Sequence, residues 1–277
     1  MSYEVAGKTV LITGAAMGMG RLYALKAARE QAKCLVLWDI NEEKLKQTAI
    51  EVENLGTKVY AQVVDLAQPQ EIEKAAEEVK NSPDYSAIDV LINNAGVISN
   101  NQYFWNLDSE RDIYFTMSIN ALAPMYVTNA FIGDMLADDR VPKRILNIAS
   151  AAGVVSNPNM SVYAASKWAC LGWSDSLRIE LIKAGKKHIK VTTFCPSYIS
   201  TGMFEGAKGM LLVPILTPES AVQAAWEGMK QGKAIIYRPL TVRLSLFLKG
   251  ILPIQLWDWV AEKVIRIYSS MEDFKGR

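Results

Sequence analysis

Tyr163 and Lys167 lie four positions apart in the segment Tyr-Ala-Ala-Ser-Lys, within a helical pattern over 162–184. Residues at that spacing share one face of a helix, so the ammonium group of Lys167 can lie near the phenol of Tyr163. A free tyrosine has a pKa of about 10 and is a poor base at neutral pH. A nearby cation favours the phenolate and lowers that pKa. The spacing predicts an acid/base tyrosine, although such a pair also occurs by chance on helix surfaces.

Ser150 and Asn120 are two further polar residues that could serve the same chemistry. Ser150 follows a predicted strand over 144–148, thirteen residues before Tyr163, and so lies at the carboxyl end of the sheet, where doubly wound folds bind ligands. Its hydroxyl could hold a substrate oxygen, although a serine after a strand is more often a turn residue. Asn120 lies inside a helical pattern over 109–136, where asparagine has a poor helix propensity. A functional amide would explain it, and so would a local kink or a satisfied core amide.

A glycine-rich segment, Thr-Gly-Ala-Ala-Met-Gly-Met-Gly over 13–20, lies between a predicted strand (8–13) and a predicted helix (21–32). Glycines at such a junction let the backbone turn tightly and approach a pyrophosphate, and the helix N-terminus presents free N–H groups to the anion. The spacing is G-x-x-x-G-x-G rather than the common G-x-G-x-x-G fingerprint. The position between strand and helix favours a dinucleotide-binding loop over the alternative, an ordinary tight turn.

Asp39 ends the second predicted strand, 19 residues beyond Gly20, where a carboxylate can accept hydrogen bonds from the ribose hydroxyls of an adenosine. The same carboxylate would repel a 2′-phosphate, and no arginine or lysine stands at positions 17, 40 or 41 to offset it. NAD is therefore favoured over NADP, with a turn or helix-capping aspartate as the alternative. Asp65 ends the third strand and could contact the adenine or cap the segment that follows.

Short apolar runs alternate with helical patterns along most of the chain. The predicted strands span 8–13, 34–38, 59–64, 89–93, 144–148 and 190–194, and the predicted helices span 21–32, 42–55, 70–80, 109–136 and 162–184. Apolar strands joined by crossover helices imply a parallel sheet covered on both faces, an α/β, doubly wound, Rossmann-type fold. We predict a single domain over 1–277, with a core over about 5–205, a helical lid over about 202–216 and a C-terminal extension over about 240–277.

The composition excludes several classes of function. Thirty basic and 29 acidic residues give a net charge of +1, which offers no electrostatic case for a nucleic-acid partner. The three cysteines are widely spaced and His188 is the only histidine, so no metal site is predicted. The N-terminus lacks an apolar signal region, and no apolar run reaches the ~18 residues of a spanning helix. We therefore expect a cytoplasmic protein in a reducing compartment.

Taken together, these residues resemble the short-chain dehydrogenase/reductase family, in its short single-domain branch. The glycine segment, the Asn-Asn-Ala-Gly segment over 93–96, Asn120, Ser150 and the Tyr163–Lys167 pair occur in the family's order and approximate spacing. The resemblance implies an oxidoreductase that transfers a hydride between a nicotinamide cofactor and an alcohol or carbonyl carbon. It implies that Tyr163 is the acid/base and that Ser150 binds the substrate oxygen. It also implies that Lys167 binds the nicotinamide ribose and that Asn120 holds a relay water.

The predicted cofactor-contacting residues combine these motifs with positions that the resemblance supplies. Residues 94–96 would line the adenosine side, and Thr201 would contact the carboxamide. The complete set is Gly14, Met17, Gly18, Met19, Gly20, Asp39, Asp65, Leu66, Asn94, Ala95, Gly96, Tyr163, Lys167, Pro196, Ile199 and Thr201. The chain departs from the family at Pro196-Ser197, where Pro-Gly is usual, and the serine adds a hydroxyl near the nicotinamide pocket.

The segments after Pro196 resemble a narrower branch that holds retinol dehydrogenases and some 17β-hydroxysteroid dehydrogenases. The similarity lies in 199–204, in 252–254 and in a C-terminal motif over 271–277. The predicted lid is rich in Met, Leu, Val and Gly, which suits an apolar alcohol or carbonyl substrate such as a retinoid, a steroid or a long-chain alcohol. A helix that completes the core or a subunit contact is the alternative for this segment.

The C-terminal extension mixes apolar and aromatic residues with basic ones. It could contact a neighbouring subunit, roof the substrate pocket or lie on a membrane surface as an amphipathic helix. Because closed homo-oligomers are common, we expect a subunit contact in a homodimer or homotetramer, with peripheral membrane contact as an alternative. Trp257 and Trp259 lie two positions apart, so a single helix cannot point both the same way.

Two other functions share part of this pattern. NAD-binding epimerases and dehydratases also carry Tyr-x-x-x-Lys, but their glycine spacing is usually G-x-x-G-x-x-G and their substrate domain is larger. A non-catalytic dinucleotide sensor would keep the glycine loop and Asp39 without needing the other motifs. The presence of Ser150, Tyr163 and Lys167 together argues against a sensor.

Overall fold

The protein is built around one seven-stranded sheet, in a computed structural model that describes residues 2–82, 87–200 and 214–271. The strands are β1 (Thr9–Thr13), β2 (Cys34–Asp39), β3 (Lys58–Val63), β4 (Val90–Asn93), β5 (Lys143–Ile148), β6 (Ile189–Pro196) and β7 (Ile235–Arg238). Their order is β3-β2-β1-β4-β5-β6-β7, and every neighbouring pair is parallel. The strand order reverses between β1 and β4, which opens a crevice at the carboxyl ends of these two strands.

Helices cover both faces of the sheet. The α-helices are α1 (Gly18–Arg29), α2 (Glu42–Glu53), α3 (Pro69–Lys80), α4 (Phe115–Met117), α5 (Ala123–Ala137), α6 (Ser161–Lys183), α7 (Pro218–Lys230), α8 (Leu240–Ile251) and α9 (Ile254–Trp259). One core lies between the sheet and α1 and α7, where Tyr23 stacks on Trp226. The other lies between the sheet and α3, α5 and α6, where Phe131 packs against Trp38. The doubly wound α/β fold predicted from the sequence is confirmed.

The burial of each strand follows its place in the sheet. β1 and β4 lie in the middle and are buried along their whole length, as continuous apolar runs predict. β3 is an edge strand, and its side chains are exposed or half-buried. A buried ion pair between Lys143 and Asp89, at 2.8 Å, joins the start of β5 to the residue before β4, and the second Asp89 oxygen accepts from the Thr9 N–H. These contacts align the three strands that end at the crevice.

The second half of the chain differs in detail from the sequence prediction. The predicted helix over 109–136 is a continuous run in which π-helical turns (Ser109–Tyr114 and Ser118–Leu122) alternate with α4 and α5. The structure adds α7 and β7, which the sequence patterns did not predict, and α7 begins after Thr217, whose side chain caps it. Thr201 and most of the predicted lid lie outside the described residues, as does the end of the C-terminal motif.

The C-terminal extension folds as α8, α9 and a π-helical turn (Val260–Ile265), which pack together through Val242, Trp257 and Ile267. Trp257 is buried and Trp259 is exposed, as positions two apart on one helix require. Within the described ranges, no helix combines the length and the apolar character needed to cross a membrane.

Candidate active site

Two cavities meet at the carboxyl end of the sheet. The larger has a volume of about 630 Å³ and lies over the crevice between β1 and β4. The smaller has a volume of about 60 Å³ and lies between the ends of β5 and β6 and the C-terminal extension. Ser150, Tyr163 and Ser197 line both cavities. These three residues therefore stand where a molecule in one cavity would meet a molecule in the other.

The wall of the larger cavity contains most of the predicted cofactor-contacting residues. They are Gly14, Met17, Gly18, Met19, Asp39, Asp65, Leu66, Asn94, Ala95, Gly96, Tyr163, Lys167, Pro196 and Ile199. Gly20 lies behind this wall, where an added Cβ would come within 1.9 Å of the Gly14 carbonyl oxygen. Gly20 therefore serves the close packing of α1 against the glycine loop.

The glycine loop has the shape that a pyrophosphate requires. Gly18 has a φ of +55°, which favours glycine, and an added Cβ there would meet nothing within 4 Å. The space at this residue is open to a ligand at the N-terminus of α1, where free N–H groups and the helix dipole attract an anion. The Asn94 amide nitrogen holds the loop by donating to the carbonyl oxygens of Thr13 and Gly14, at 3.0 and 3.1 Å. The residues present thus fit a dinucleotide.

The carboxylates of Asp39 and Asp65 line the larger cavity and also accept backbone hydrogen bonds. Asp39 accepts from the N–H groups of Ala16 and Asn41, both at 2.9 Å, and Asp65 accepts from the N–H of Ala67 at 2.9 Å. The turn role that the sequence left open is therefore present at both positions. It does not compete with ligand binding, because each carboxylate oxygen has a second lone pair.

Lys44 is a basic residue at this cavity that the sequence analysis missed. It lies in the first turn of α2, its N–H donates to the Asn41 side chain at 3.0 Å, and it lines the same cavity as Asp39. A residue one helical turn after position 41 returns to the same side of the helix, and this spacing is the signal that could have found it. Its charge opposes the repulsion that Asp39 would exert on a 2′-phosphate.

Tyr163 and Lys167 lie close together on α6. The Lys167 Nζ lies 5.9 Å from the centre of the Tyr163 ring and donates to the Ile148 carbonyl oxygen at 3.0 Å. Burial raises the pKa of the Tyr163 phenol to about 12, and a hydrogen bond with the Ser150 side chain opposes this rise. Burial also lowers the pKa of Lys167. The sequence prediction that the lysine lowers the tyrosine pKa therefore meets a stronger opposing effect, the removal of the phenol from water.

Ser150 lies two residues after the end of β5 and is also the turn residue that its sequence position suggests. Its hydroxyl oxygen accepts from the Ala152 N–H at 3.1 Å. The turn packs tightly on α6, because an added Cβ on Gly153 would come within 2.8 Å of the Lys167 carbonyl oxygen. This close approach brings Ser150 beside Tyr163. A glycine at position 153 therefore allows the turn after β5 to approach α6 closely, and this approach positions Ser150 in the site.

Asn120 is fully buried, and its amide is engaged by the protein. Its Oδ1 accepts from the Val97 N–H at 2.8 Å, and its Nδ2 donates to the Val97 carbonyl oxygen at 2.9 Å and to Ser166 Oγ at 3.1 Å. It lies in the second π-helical turn, a feature frequent at functional sites. An added Cβ on Gly96 would come within 3.3 Å of both Asn120 Oδ1 and Lys167 Nζ. Of the alternatives that the sequence left open for Asn120, the structure shows two together: a local irregularity of the helix, here a π-helical turn, and a buried amide with its hydrogen bonds satisfied. This amide lies next to Lys167.

The smaller cavity is mostly apolar. Its walls are formed by Ala151, Ala152, Val155, Met160, Val242 and Ile267, together with the polar residues Ser150, Asn157, Tyr163, Ser197, Tyr198 and Ser245. Three of these, at positions 242, 245 and 267, belong to the C-terminal extension. Of the three roles predicted for the extension, the structure shows the pocket roof.

Hydrogen bonds fasten this roof to the rest of the protein. The Tyr198 hydroxyl is bonded to Ser270 Oγ at 2.7 Å and accepts from Asn157 Nδ2 at 3.0 Å. The Asn101 side chain donates to the Met271 carbonyl oxygen at 2.8 Å. Burial raises the pKa of Tyr198, so its hydroxyl stays neutral and available to these bonds. The last described residues therefore close over the site.

A family model described as short chain dehydrogenase matches residues 8–210. The chain belongs to the short-chain dehydrogenase family. It is 36% identical to epidermal retinol dehydrogenase 2 of Mus musculus, over 99% of this chain and 87% of that protein. It is 35% identical to estradiol 17-beta-dehydrogenase 11 of Macaca fascicularis, over 90% of this chain and 81% of that protein. The resemblance to the narrower retinol and 17β-hydroxysteroid dehydrogenase group is confirmed.

Two solved structures share the fold. A short-chain dehydrogenase/reductase from Burkholderia phymatum in complex with NAD has a TM-score of 0.80 at 24% identity, over 90% of this chain and 94% of that one. A short-chain dehydrogenase from Sphingobium yanoikuyae in complex with NADPH has a TM-score of 0.74 at 26% identity, over 89% and 97%. The family member described here is a nicotinamide-dependent oxidoreductase of alcohol and carbonyl carbons.

Proposed function

We propose that the protein is an NAD-linked dehydrogenase or reductase of apolar alcohols and ketones, with Tyr163 as the acid/base. The observation that carries this proposal is the meeting of the two cavities at Ser150 and Tyr163. A dinucleotide in the larger cavity and an alcohol in the smaller one would come together at these residues. The reacting carbon would then lie beside the Tyr163 hydroxyl.

The residues of the chain account for the movement of the proton. A bound nicotinamide supplies the hydride acceptor for alcohol oxidation and the hydride donor for carbonyl reduction. In oxidation, Tyr163 Oη takes the proton of the substrate hydroxyl while the carbon loses its hydrogen together with the bonding electron pair. In reduction, the phenol returns the proton to the carbonyl oxygen. Ser150 Oγ donates a hydrogen bond to the same oxygen and stabilises its partial charge.

Lys167 and Asn120 support the tyrosine. The Lys167 ammonium, 5.9 Å from the ring centre, favours the phenolate electrostatically, and this effect strengthens when a ligand displaces water from the larger cavity. Lys167 also lines that cavity, where it would bind the nicotinamide ribose. Asn120 is bonded to the backbone of Val97, and its Oδ1 and the Lys167 Nζ both lie beside Gly96, where Asn120 would position a relay water. With these roles, the proton would travel from Tyr163 toward Lys167 and the larger cavity, in which the cofactor would bind.

The preference for NAD rests on Asp39. Ribose hydroxyls can donate to its remaining lone pairs, whereas a 2′-phosphate would face its negative charge. Lys44 lines the same cavity and weakens this discrimination. We therefore expect NAD to be preferred and NADP to be used less well, rather than excluded.

The substrate class rests on the apolar walls of the smaller cavity, and two relatives are named for their action on retinol and on estradiol. A volume of about 60 Å³ is room for roughly four water molecules, so this cavity seats the reacting end of a substrate. The remainder of a retinoid, steroid or long-chain alcohol would extend from it.

An initial-rate panel tests this function. Hydrophobic primary and secondary alcohols, retinol and estradiol would be offered with NAD and with NADP, and the matching ketones and aldehydes with NADH and NADPH. We expect turnover of apolar substrates with a higher kcat/KM for NAD. Protein that binds NAD but converts none of the panel would contradict the proposal and favour the sensor alternative.

The location of the enzyme is also part of the proposal: the cytoplasm, against a membrane surface. α8 exposes Leu240, Leu244, Phe247 and Ile251 in a row at helical spacing, while its Val242 lines the substrate cavity. The stretch 238–268 carries five basic and two acidic residues, which suits an anionic lipid surface. An apolar substrate could then pass from the lipid to the cavity across one helix. The homodimer or homotetramer stays a prediction.

Vesicle binding tests this surface. The double variant Phe247→Ser/Ile251→Ser should lose cosedimentation with vesicles that contain phosphatidylserine. Ile50→Ser is the matched control, because Ile50 is 57% exposed on α2 at the other end of the chain. Equal vesicle binding by the wild type and the double variant would contradict the proposal. A dimer in sedimentation velocity that the same double variant dissociates would instead support a subunit contact.

A further inference from the structure

Two residues that line the smaller cavity each carry a buried side-chain oxygen with no hydrogen-bond partner among the described residues. These oxygens are Ser197 Oγ and Asn157 Oδ1. Ser197 is only 7% exposed, and a hydroxyl buried without a partner is unfavourable until a ligand bonds to it. By contrast, the Ser150 and Tyr198 oxygens in the same cavity are bonded within the protein. Hydrogen bonds to a ligand would satisfy these two buried oxygens, which the protein leaves unbonded.

The chemistry of these atoms restricts what they can bind. Asn157 Oδ1 is a carbonyl oxygen and only accepts, because the Asn157 amide nitrogen already donates to the Tyr198 hydroxyl at 3.0 Å. The Ser197 hydroxyl can donate and accept. A ligand group that satisfies both must donate to Asn157 Oδ1, and it can either donate to the Ser197 hydroxyl or accept from it. A hydroxyl group does so without a charge, which suits walls that are otherwise apolar.

The size of the cavity restricts where that group sits on the substrate. Room for roughly four water molecules holds the reacting carbon and the atoms within a few bonds of it. Ser197 also lines the larger cavity, so it lies at the junction with Tyr163 and Ser150 rather than at a distant wall. A hydroxyl bound by Ser197 would therefore lie within a few bonds of the reacting carbon, and the carbon next to it is the nearest such position.

We propose that Ser197 and Asn157 anchor a second hydroxyl of the substrate, which makes the substrate an apolar 1,2-diol or the corresponding α-hydroxyketone. This inference rests on the proposed function and names its substrate class more narrowly. The two residues determine specificity and take no part in the proton transfer, which belongs to Tyr163. A glycine at position 197 would supply no hydroxyl, so the anchor depends on this serine.

Matched substrates test the anchor. The wild-type protein would be assayed with NAD on 1,2-dodecanediol, on 2-dodecanol and on 1-methoxy-2-dodecanol, whose ether oxygen cannot donate. We expect kcat/KM for the diol to exceed that for the other two by about 10- to 100-fold. Ser197→Ala should reduce this ratio by about tenfold, chiefly through a higher KM for the diol. Ser156→Ala is the matched control, because Ser156 is an exposed serine on the same loop as Asn157.

The outcomes separate the anchor from the function on which it rests. Turnover of all three substrates with equal kcat/KM would overturn the anchor and leave the dehydrogenase intact. Turnover of none of them, or of any alcohol in the wider panel, would overturn both. A Ser197→Ala variant with an unchanged substrate ratio and a raised KM for NAD would show that the hydroxyl serves the carboxamide instead. Thermal unfolding checks folding, and a Ser197→Ala midpoint at or above that of the wild type agrees with a hydroxyl that has no internal partner.

Discussion

The two cavities that meet at Tyr163 are built in different ways. The larger cavity is formed mainly by the ends of β1 to β6 and the turns that follow them, and Tyr163 and Lys167 of α6 complete it. The smaller cavity takes its roof from α8 and from Ile267, which lie about 90 to 120 positions after Ser150 in the chain. One wall is therefore set by local strand and turn geometry, and the other by long-range packing of the C-terminal extension.

This difference corresponds to a division of roles: the larger cavity binds the cofactor that family members share, and the smaller cavity binds a substrate that differs among them. Backbone groups and glycines at strand ends recognise a dinucleotide, whose shape is the same in every member. The roof residues pack against a substrate, whose shape differs among members. We therefore expect substitutions at the junction to affect the reaction, those in the larger cavity to affect the cofactor, and those in the roof to affect the substrate end alone.

Tyr163→Phe is the sharpest test of the junction. The phenylalanine fills the same space and removes only the hydroxyl that transfers the proton, so kcat should fall by about 10³-fold. The dissociation constant for NADH, measured by fluorescence, should change by less than about threefold. A variant that keeps its turnover would show that the proton moves elsewhere, and the two cavities would then not meet at the reacting group.

The pH dependence tests the same junction without a substitution. Burial raises the pKa of Tyr163 to about 12, so the phenol is protonated throughout the neutral range. Reduction uses the phenol as a donor and should be nearly constant from pH 6 to pH 8. Oxidation needs the deprotonated form, whose fraction rises about tenfold per pH unit below the pKa, so kcat for oxidation should rise by up to about 100-fold between pH 7 and pH 9.

The control for this profile is the cofactor-binding step. NAD affinity measured over the same pH range should stay flat, because the proton that Tyr163 takes comes from the substrate hydroxyl and not from the cofactor. An oxidation rate that is independent of pH would mean that Lys167 and the nicotinamide charge bring the tyrosine pKa well below neutrality, as the sequence argument emphasised. That result would keep Tyr163 as the acid/base, and it would show that the nearby charges lower its pKa more than burial raises it.

Asp39 offers a change confined to the larger cavity. Asp39→Ser with Ile40→Arg removes the charge, keeps an oxygen for the backbone N–H groups and supplies a cation. The ratio of kcat/KM for NADP to that for NAD should then rise by about 30-fold or more, since a single charge contact commonly contributes 1–3 kcal/mol. Lys44→Gln in the wild type should lower the same ratio. A wild-type protein that already prefers NADP would contradict the Asp39 argument and assign the choice to Lys44.

The sheet and the larger cavity could be predicted from the sequence because their signals are local. Apolar runs of five or six residues mark β1 and β2, and the glycine spacing marks the loop between β1 and α1. Polar residues such as Asp39 and Ser150 fall at strand ends, where a parallel sheet must gather them. Lys44 lies in the first turn of α2, beyond the strand end that Asp39 marks, and only the helical spacing from position 41 points to it.

The roof could not be predicted, because nothing local ties it to the site. Val242 and Ile267 are ordinary apolar residues whose place depends on the packing of α8 and α9 against the end of β5. The sequence allowed a subunit contact, a pocket roof or a membrane face, and only tertiary contacts distinguish them. β7 was missed because a four-residue strand lacks a periodic signal of its own. α7 does carry local signals, a capping threonine followed by a proline in its first turn, and could have been predicted from them.

A comparison of Tyr198→Phe with Tyr23→Phe is the most local test of how the roof is attached, and it has the smallest expected effect. Both tyrosines are buried, but the Tyr198 hydroxyl bonds to Ser270 and Asn157, whereas the Tyr23 hydroxyl has no hydrogen-bond partner among the described residues. Tyr198→Phe should lower the free energy of unfolding by about 1–2 kcal/mol, because it leaves buried partners unbonded. Tyr23→Phe should be neutral or slightly stabilising. Urea unfolding of the two variants measures the difference, and equal effects would mean that the roof is held by apolar packing alone, with Tyr198 adding nothing to its attachment.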